Sequence, residues 1–386
     1  MSLSVAHVFP TDRVAYLMRA RLMRLQEVGF AISVICGDRG YGDRLRECGL
    51  NVLPIPFARE IAPWTDARCL LALKRALNDG GYDITHSHNP KGTLIGPVAG
   101  QLAKVRAVVH TVHGFLFNEN SRGLHRFAAE GAERWCARWS DDLLFQSRED
   151  FDYARDRGYK KPERLHLIGN GVDERRFDPD LHPRARAEKR AELGFAENDL
   201  VVGMVTRLVR EKGCVDFFQM AARLVEQWPQ ARFLMVGIPE SNDQSDAIDP
   251  AQLMCEYGVT DYCTALEHRT DMPELYTAMD VLVLPSYREG LPRAVIEAGA
   301  MNLPVVVSDI RGCREVVMEG ETGLLFPLKD VQALAGAVGR LLADGDLRLA
   351  MGKAGRQRVM KYYTEARTTQ RVADCYRKCI EEGRRR

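Results

Sequence analysis

Short runs of aliphatic and β-branched residues recur along the chain, each followed by a segment whose apolar positions fall at helical spacing. Alternation of this kind predicts parallel α/β units. In the first half, strands are expected at 4–8, 31–36, 52–55, 84–87, 107–111 and 142–145, with helices over 14–27, 67–78 and 121–139. The stretch 173–193 holds Pro179, Pro183 and many charges and reads as a break or linker. A second series follows, with strands at 200–206, 231–236, 262–266, 281–284 and 304–308. Helices are expected at 214–227, 271–279, 292–300 and around 314–318, and they dominate from 331 onwards. Two α/β halves of comparable size predict two Rossmann-like domains, over residues 1–175 and 176–365.

Composition narrows the class. A chain of 386 residues accommodates two cores, and a hydrophobic content of 46% is ordinary for a globular protein. A formal charge of +1 argues against a dedicated nucleic-acid binder. No apolar run approaches the length of a membrane span, and the N-terminal residues lack the pattern of a secretory signal, so a cytoplasmic location is expected. The ten cysteines are scattered and read as reduced, packed thiols. Cys255, Cys263 and His268 are too loosely spaced to predict zinc. The first strand is followed by Pro10-Thr11-Asp12-Arg13, without the glycine-rich turn of a dinucleotide-binding dehydrogenase.

The richest segment is Pro285-Ser-Tyr-Arg-Glu-Gly-Leu-Pro-Arg-Ala-Val-Ile-Glu-Ala298, directly after the apolar run Val281–Leu284. It places Glu289 in a strand-to-helix turn and Glu297 within the following helix, and Pro292 suits a first helical turn. The exposed N–H groups at such a helix start attract anions. Arg207 and Lys212 stand at the exit of another strand, in Thr206-Arg-Leu-Val-Arg-Glu-Lys-Gly213. A rigid guanidinium fork beside a compact ammonium suits phosphate oxygens, though a solvated turn would also carry such residues. His113 ends the strand of Val109-His-Thr-Val-His-Gly114; His110 faces the other way and is expected to pack or orient a loop. His86 and His88 end the strand before it.

Glu289 and Glu297 within Pro-Ser-x-x-Glu-Gly-x-Pro…Glu-Ala, with Arg207 and Lys212-Gly213, resemble the signature of the retaining glycosyltransferases of GT-B fold, family 4. The resemblance covers nearly the whole chain. It implies an α/β protein of two Rossmann-like domains facing a central cleft, with the last helix, about 366–386, packed back on the first domain. It implies that Arg207 and Lys212 clamp the diphosphate of a nucleotide sugar, that Glu289 reaches the sugar hydroxyls and that Glu297 holds the ribose. Backbone groups around Gly290 and Leu291 would meet the diphosphate, and those from Leu266 to Arg269 the nucleobase. His113 would lie beside the donor sugar as a catalytic group with Glu289, Arg207 and Lys212. No metal or other cofactor is implied beyond the donor, expected to be a UDP-sugar.

The family's glycine pair in the first loop is replaced here by Thr11-Asp12-Arg13, which makes Asp12 and Arg13, with His88, candidates on the acceptor side. The resemblance is greatest to bacterial enzymes that extend glycans or polyprenyl-diphosphate-linked saccharides for surface polysaccharides. Arg19, Arg21 and Arg24, with Phe115, Leu116 and Phe117, would offer a basic and apolar surface for peripheral contact with the inner membrane. A homo-oligomer is compatible with this picture, and nucleic acid is not an expected partner. Alternatives sharing the fold are a sugar phosphorylase, a nucleotide-sugar epimerase and a noncatalytic nucleotide-sugar-binding subunit.

Overall fold

A computed structural model describes residues 2–57, 63–115, 117, 123–239, 246–267 and 269–383. The chain divides into two compact units, Met1–Asn170 with Glu365–Arg386, and Gly171–Thr364.

The first unit is built on seven strands: β1 (Ser4–Phe9), β2 (Ala31–Cys36), β3 (Asn51–Pro54), β4 (Ile84–His88), β5 (Ala107–Val112), β6 (Asp142–Phe145) and β7 (Leu165–Leu167). All pair in parallel, in the order β3-β2-β1-β4-β5-β6-β7. A parallel sheet covered by helices on both faces needs nearly continuous apolar strands, which is why these runs stand out in the sequence. The order reverses between β1 and β4, and the loops leaving their C-terminal ends therefore diverge and open a crevice. The expected helix over 14–27 is two helices, Asp12–Leu17 and Arg19–Glu27, joined at Met18.

The helix Asn89–Leu102 contains Pro90, Gly92, Gly96, Pro97 and Gly100, residues that suggest a loop when read locally. A Cβ on Gly96 would come within 2.5 Å of Ser87 Cβ, so glycine lets this helix lie directly on β4. The last helix, Glu365–Gly383, sends Val372, Ala373, Tyr376, Cys379 and Ile380 into a core with Val5, Leu22, Leu25 and Phe30. Its first residue, Glu365, lies 2.5 Å from Arg21 Nε, and both side chains are 4% exposed.

The second unit carries β8 (Leu200–Leu208), β9 (Ala231–Pro239), β10 (Cys263–Leu266), β11 (Val281–Leu284), β12 (Val305–Ser308) and β13 (Gly323–Phe326). The order is β10-β9-β8-β11-β12-β13, again parallel, with its reversal between β8 and β11. Leu282 and Leu284 enter one core while Val281 and Val283 enter the other, the two-residue alternation of a strand buried on both faces.

The charged stretch expected as a linker is packed structure for much of its length. It forms the helix Ala185–Glu192, whose Arg190 is buried. The guanidinium of Arg190 donates to Asp280 Oδ2 at 2.7 Å and to the backbone carbonyls of Ala196, Glu197 and Asp199. A buried charge with this many acceptors is held in place, but nothing in its local sequence advertises the partners.

Candidate functional site

In the second unit the loops that follow β8 and β11 lie at the point of strand-order reversal, where open α/β sheets form their ligand crevices. After β8 the chain makes a short 3-10 turn, Arg210–Lys212, and enters the helix Cys214–Leu224 through Gly213 at φ 73°. A Cβ on Gly213 would sit 2.0 Å from the carbonyl oxygen of Pro285. On the other side of the same loop, Gly312 has φ 79°, and a Cβ there would sit 1.9 Å from the carbonyl oxygen of Gly290. Two glycines in left-handed conformations thus let neighbouring loops close on residues 285–290.

That closure brings the charges together. Lys212 Nζ lies 2.8 Å from Glu289 Oε1 and donates to the Arg288 carbonyl at 3.3 Å. Arg288 Nε binds Glu211 Oε1 at 2.7 Å, Tyr287 N–H donates to the Glu211 carbonyl at 2.9 Å, and Arg207 Nη2 stands 4.0 Å from Glu211 Oε2. Arg207 keeps more exposure than Lys212, 42% against 14% of the side chain. Gly290 and Leu291 lead to Pro292, which is the N-cap of the helix Arg293–Ala300 in extended conformation and not its first helical residue.

Glu297 is held from two sides. Arg293 Nε binds its Oε1 at 2.8 Å, and Tyr276 OH donates to its Oε2 at 3.1 Å. Burial, and then the charge of Glu297, push the Tyr276 phenol well above its ordinary range, so it remains a neutral donor. Leu266 ends β10, as expected, and is half-buried. Arg269 binds Asp271 at 2.8 and 2.7 Å and Glu192 at 2.7 Å, in a cluster that also holds Lys189. These bonds, above all to Arg269, hold Asp271 well below the usual carboxylate range. The Arg269 guanidinium therefore has a structural use. His268 lies outside the described residues.

In the first unit His113 follows β5 and is half-buried. His113 Nε2 lies 3.1 Å from His88 Nδ1, and His88 Nε2 lies 2.9 Å from His7 Nδ1. His7 Nε2 lies 3.1 Å from Tyr376 OH, which is 2.5 Å from His86 Nδ1, and His86 Nε2 lies 2.6 Å from Thr111 Oγ1. Burial and the Arg21 charge push His7 and His113 down to about 3, so these imidazoles are neutral at physiological pH. His88, expected on the acceptor side, is buried with both ring nitrogens engaged in this cluster. Asp12 is also buried: its Oδ2 accepts from Arg39 N at 3.0 Å and Tyr41 N at 2.7 Å, anchoring the loop beyond β2. Arg13 beside it remains half-buried. His110 packs inside the unit, 2.8 Å from Ser87 Oγ, as its strand face implies.

The expected membrane-facing patch does not form. Arg21 and Arg24 are buried, and Phe115 and Phe117 stack on each other at 4.9 Å within an aromatic cluster that includes Phe145, Tyr153 and Tyr159. Leu116 lies outside the described residues. Periodicity marks Arg21 as surface because its carboxylate partner, Glu365, is 344 residues away.

Among the described residues two groups are close enough to share a metal ion, His7 with His86 and His88, and Asp142 with His166 and Cys375. In the first, every ring nitrogen already has a hydrogen-bond partner. In the second, Arg164 and His166 neutralise Asp142, at 3.0 and 2.8 Å.

Local sequence gave no sign of Tyr276, Glu211, Arg288 or Gly312 as parts of the site. Each acts through a partner on a different segment of the chain. Glu211 and Arg288 lie inside the two segments read beforehand, but only their neighbours were given roles there.

Comparison with known proteins decides the family. Residues 13–171 match the Glycosyl transferase 4-like domain, and residues 185–358 match Glycosyl transferases group 1. A D-inositol 3-phosphate glycosyltransferase of Corynebacterium urealyticum is 32% identical, over 88% of this chain and 82% of its own. The chain belongs to this glycosyltransferase family. This glycosyltransferase is also 29% identical to the UDP-Gal:alpha-D-GlcNAc-diphosphoundecaprenol alpha-1,3-galactosyltransferase of Escherichia coli, over 97% of its length and 96% of the relative's. In fold it is similar to Anabaena HepE, solved in complex with UDP-glucose, with a TM-score of 0.84 and 19% identity over 97% of this chain and 100% of that one. It is thus an enzyme of the GT-B fold class that transfers a glycosyl group from a nucleotide-sugar donor, as the resemblance of its motifs implies.

Proposed function

We propose that this glycosyltransferase takes its sugar from UDP and passes it, with retention of anomeric configuration, to a hydroxyl of a polyprenyl-diphosphate-linked saccharide in bacterial surface-glycan synthesis. The observation that carries the donor half is the meeting of Lys212 with Glu289 where the strand order reverses. Arg207 and Lys212 would hold the diphosphate with the backbone N–H groups at Gly290 and Leu291; Glu289 would meet the sugar hydroxyls and Glu297 the ribose. Lys212 and Glu289 pair with each other, and a bound donor would let the ammonium turn to phosphate while the carboxylate accepts from the sugar. The name of the Escherichia coli relative supports both UDP and a lipid-linked acceptor.

In this mechanism the acceptor attacks on the face from which the diphosphate leaves, and the departing phosphate oxygen takes the acceptor proton. Arg207, Lys212 and the helix N-terminus at Arg293 stabilise the charge that develops on the leaving group. Glu289 and Glu297 recognise the donor and form no bond to the anomeric carbon. The first unit would supply His113 beside the donor sugar and the acceptor-side surface; Asp12 shapes that surface by anchoring residues 39–41, next to Arg13.

The enzyme would work in the cytoplasm at the inner face of the membrane. No helix among the described residues is long and apolar enough to cross a bilayer. Peripheral contact is assigned to the helix Gly123–Trp139, where Leu124, Phe127 and Trp135 are 82%, 77% and 46% exposed, close to Arg134 and Arg138. Apolar side chains flanked by arginine suit an anionic lipid surface.

The test is incubation with a panel of UDP- and GDP-sugars, with and without polyprenyl-diphosphate saccharides, reading nucleotide release and product anomer by NMR. Release of UDP that depends on lipid-linked acceptor, with retained configuration, is expected. A GDP donor, an inverted product or activity on free sugars alone overturns the corresponding part. Flotation with anionic vesicles, weakened by Phe127→Asp, tests the membrane face.

A further inference from the structure

Cys375 and Cys379 stand four positions apart on the last helix and so share one face of it. Both are buried, with their sulfurs 3.7 Å apart. That face meets two polar side chains at the edge of the first sheet. Cys379 Sγ lies 3.1 Å from Asp142 Oδ2, and Asp142 Oδ1 lies 2.8 Å from His166 Nε2. Asp142 opens β6, and His166 sits in β7, the last strand in the sheet order. The register pairs Leu144 with His166, which puts residues 142 and 166 on the same face. One ligating atom from each of Asp142, His166 and Cys375 lies within 4.8 Å of the others.

A buried cysteine ordinarily packs as a small apolar side chain. Here two thiols also face a buried carboxylate and an imidazole. A disulfide needs sulfurs about 2.0 Å apart. Two thiolates on one zinc ion, each bonded at about 2.3 Å with tetrahedral angles, stand about 3.8 Å apart. The observed separation fits the second. The group of His7, His86 and His88 offers nitrogen alone, whereas thiolate, imidazole and carboxylate together make a set that zinc favours. Arg164 does not compete for the site. It binds Asp142 Oδ2 at 3.0 Å and Glu382 at 2.9 Å, which leaves Oδ1 for the ion. An outer hydrogen bond of this kind holds a ligating carboxylate in place.

We propose that Asp142, His166, Cys375 and Cys379 form a structural zinc site that pins the last helix to the edge of the first sheet. On binding, the proton between His166 and Asp142 and the two thiol protons leave to solvent, and the ion takes their place. Metal–ligand bonds of about 2.0–2.1 Å open the His166–Asp142 pair by about half an ångström. Cys379 Sγ turns from Asp142 Oδ2 toward the ion. His166, with 18% of its side chain exposed, marks the way in. With the ion bound His166 ceases to titrate, so its own pH dependence belongs to the metal-free protein. All four ligands belong to the first unit, while Lys212 and Glu289 belong to the second. The ion braces the fold and takes no part in glycosyl transfer.

The experiment is metal analysis of the full-length protein from zinc-supplemented culture, then cobalt(II) titration of the metal-free protein under reducing conditions. Stoichiometric zinc is expected, and with cobalt a thiolate-to-metal charge-transfer band beside the strong visible bands of a tetrahedral ion. Cys375→Ser and Cys379→Ser should each abolish the charge-transfer band. Arg164→Gln should keep it and weaken zinc binding about 10- to 100-fold. Removing zinc should lower the Tm of the native protein and leave that of Cys375→Ser unmoved. Cys255→Ser, at an exposed thiol, is the control and should leave the spectrum as it is. Zinc-free native protein overturns the proposal. So does a cobalt spectrum without thiolate charge transfer, which would mark the histidine group, or a band that survives both helix variants or is lost in Cys255→Ser.

Discussion

Lys212 Nζ and Glu289 Oε1 lie 2.8 Å apart, although 77 residues separate them. Their side chains are 14% and 13% exposed, enough shielding for the pair to be strong and enough access for a ligand to separate it. The two residues arrive on different loops, and Gly213 allows those loops to touch.

Glu289→Gln keeps the shape but removes the charge and one acceptor. A fall in kcat/KM of about 100-fold, roughly 2.7 kcal/mol of transition-state stabilisation, is expected. Lys212→Ala should fall by at least as much and should also raise donor KM. Steady-state kinetics beside thermal melts check this: loss of activity with Tm nearly unchanged is the expected pattern, whereas a parallel collapse of Tm would make the pair structural.

Glu297 is braced by Arg293 and Tyr276. Glu297→Gln should raise KM for the nucleotide sugar and the inhibition constant for the free nucleotide together, each about tenfold, or roughly 1.4 kcal/mol. A change confined to kcat would place Glu297 at the reacting centre and not at the ribose.

Gly213→Ala and Gly312→Ala should each destabilise the second unit. A left-handed backbone costs a non-glycine residue about 1–2 kcal/mol, and each new Cβ would also meet a carbonyl oxygen at 2.0 or 1.9 Å. Calorimetry should show the loss, and donor binding by titration should weaken as the 285–290 loop is pushed away. Gly258→Ala, also at positive φ but with open space around its Cβ, is the control that isolates the clash.

Acid should unfold the first unit preferentially. His7 and His110 are pushed down to about 3, and His86 and His88 well below their ordinary value, in each case chiefly by burial. The unfolded chain binds protons below about 6.5 where the folded chain does not, so stability falls as pH drops from there toward 3. Each such group contributes about 1.4 kcal/mol of loss per pH unit in that window. His166 has the opposite sign. Burial lowers it, but the bonds to and charges of Asp142 and Cys375 together outweigh burial and raise it to about 9, so its contribution is complete below about 6.5 and disappears as pH rises through 9. Chemical denaturation across pH should show both slopes, and Tyr376→Phe should leave the alkaline one in place.

Several features were legible locally. The 281–284 run, the strand-turn-helix around Glu289 and Glu297, and the paired cations after β8 occupy contiguous sequence, where strand alternation and turn chemistry are written residue by residue. The three-residue β7 was not, because so short a run carries no period of its own. The helix Asn89–Leu102 was hidden by its glycines and prolines, of which Gly96 and Gly100 serve the packing against β4. Arg190 and Arg21 read as surface charge because the carboxylates that allow their burial are 90 and 344 residues away.

The sequence by itself determined two α/β halves, the family and the cluster of donor-side motifs, since each depends on local periodicity or on a contiguous pattern. Tertiary structure alone decided what those residues touch. It paired Lys212 with Glu289, buried Asp12 and His88, bound the Arg269 guanidinium into an ion-pair cluster, and linked His113 to Tyr376. Hydrogen bonds and desolvation depend on which distant segments the sheets and helices bring together, and side-chain chemistry at one position does not encode its partner at another.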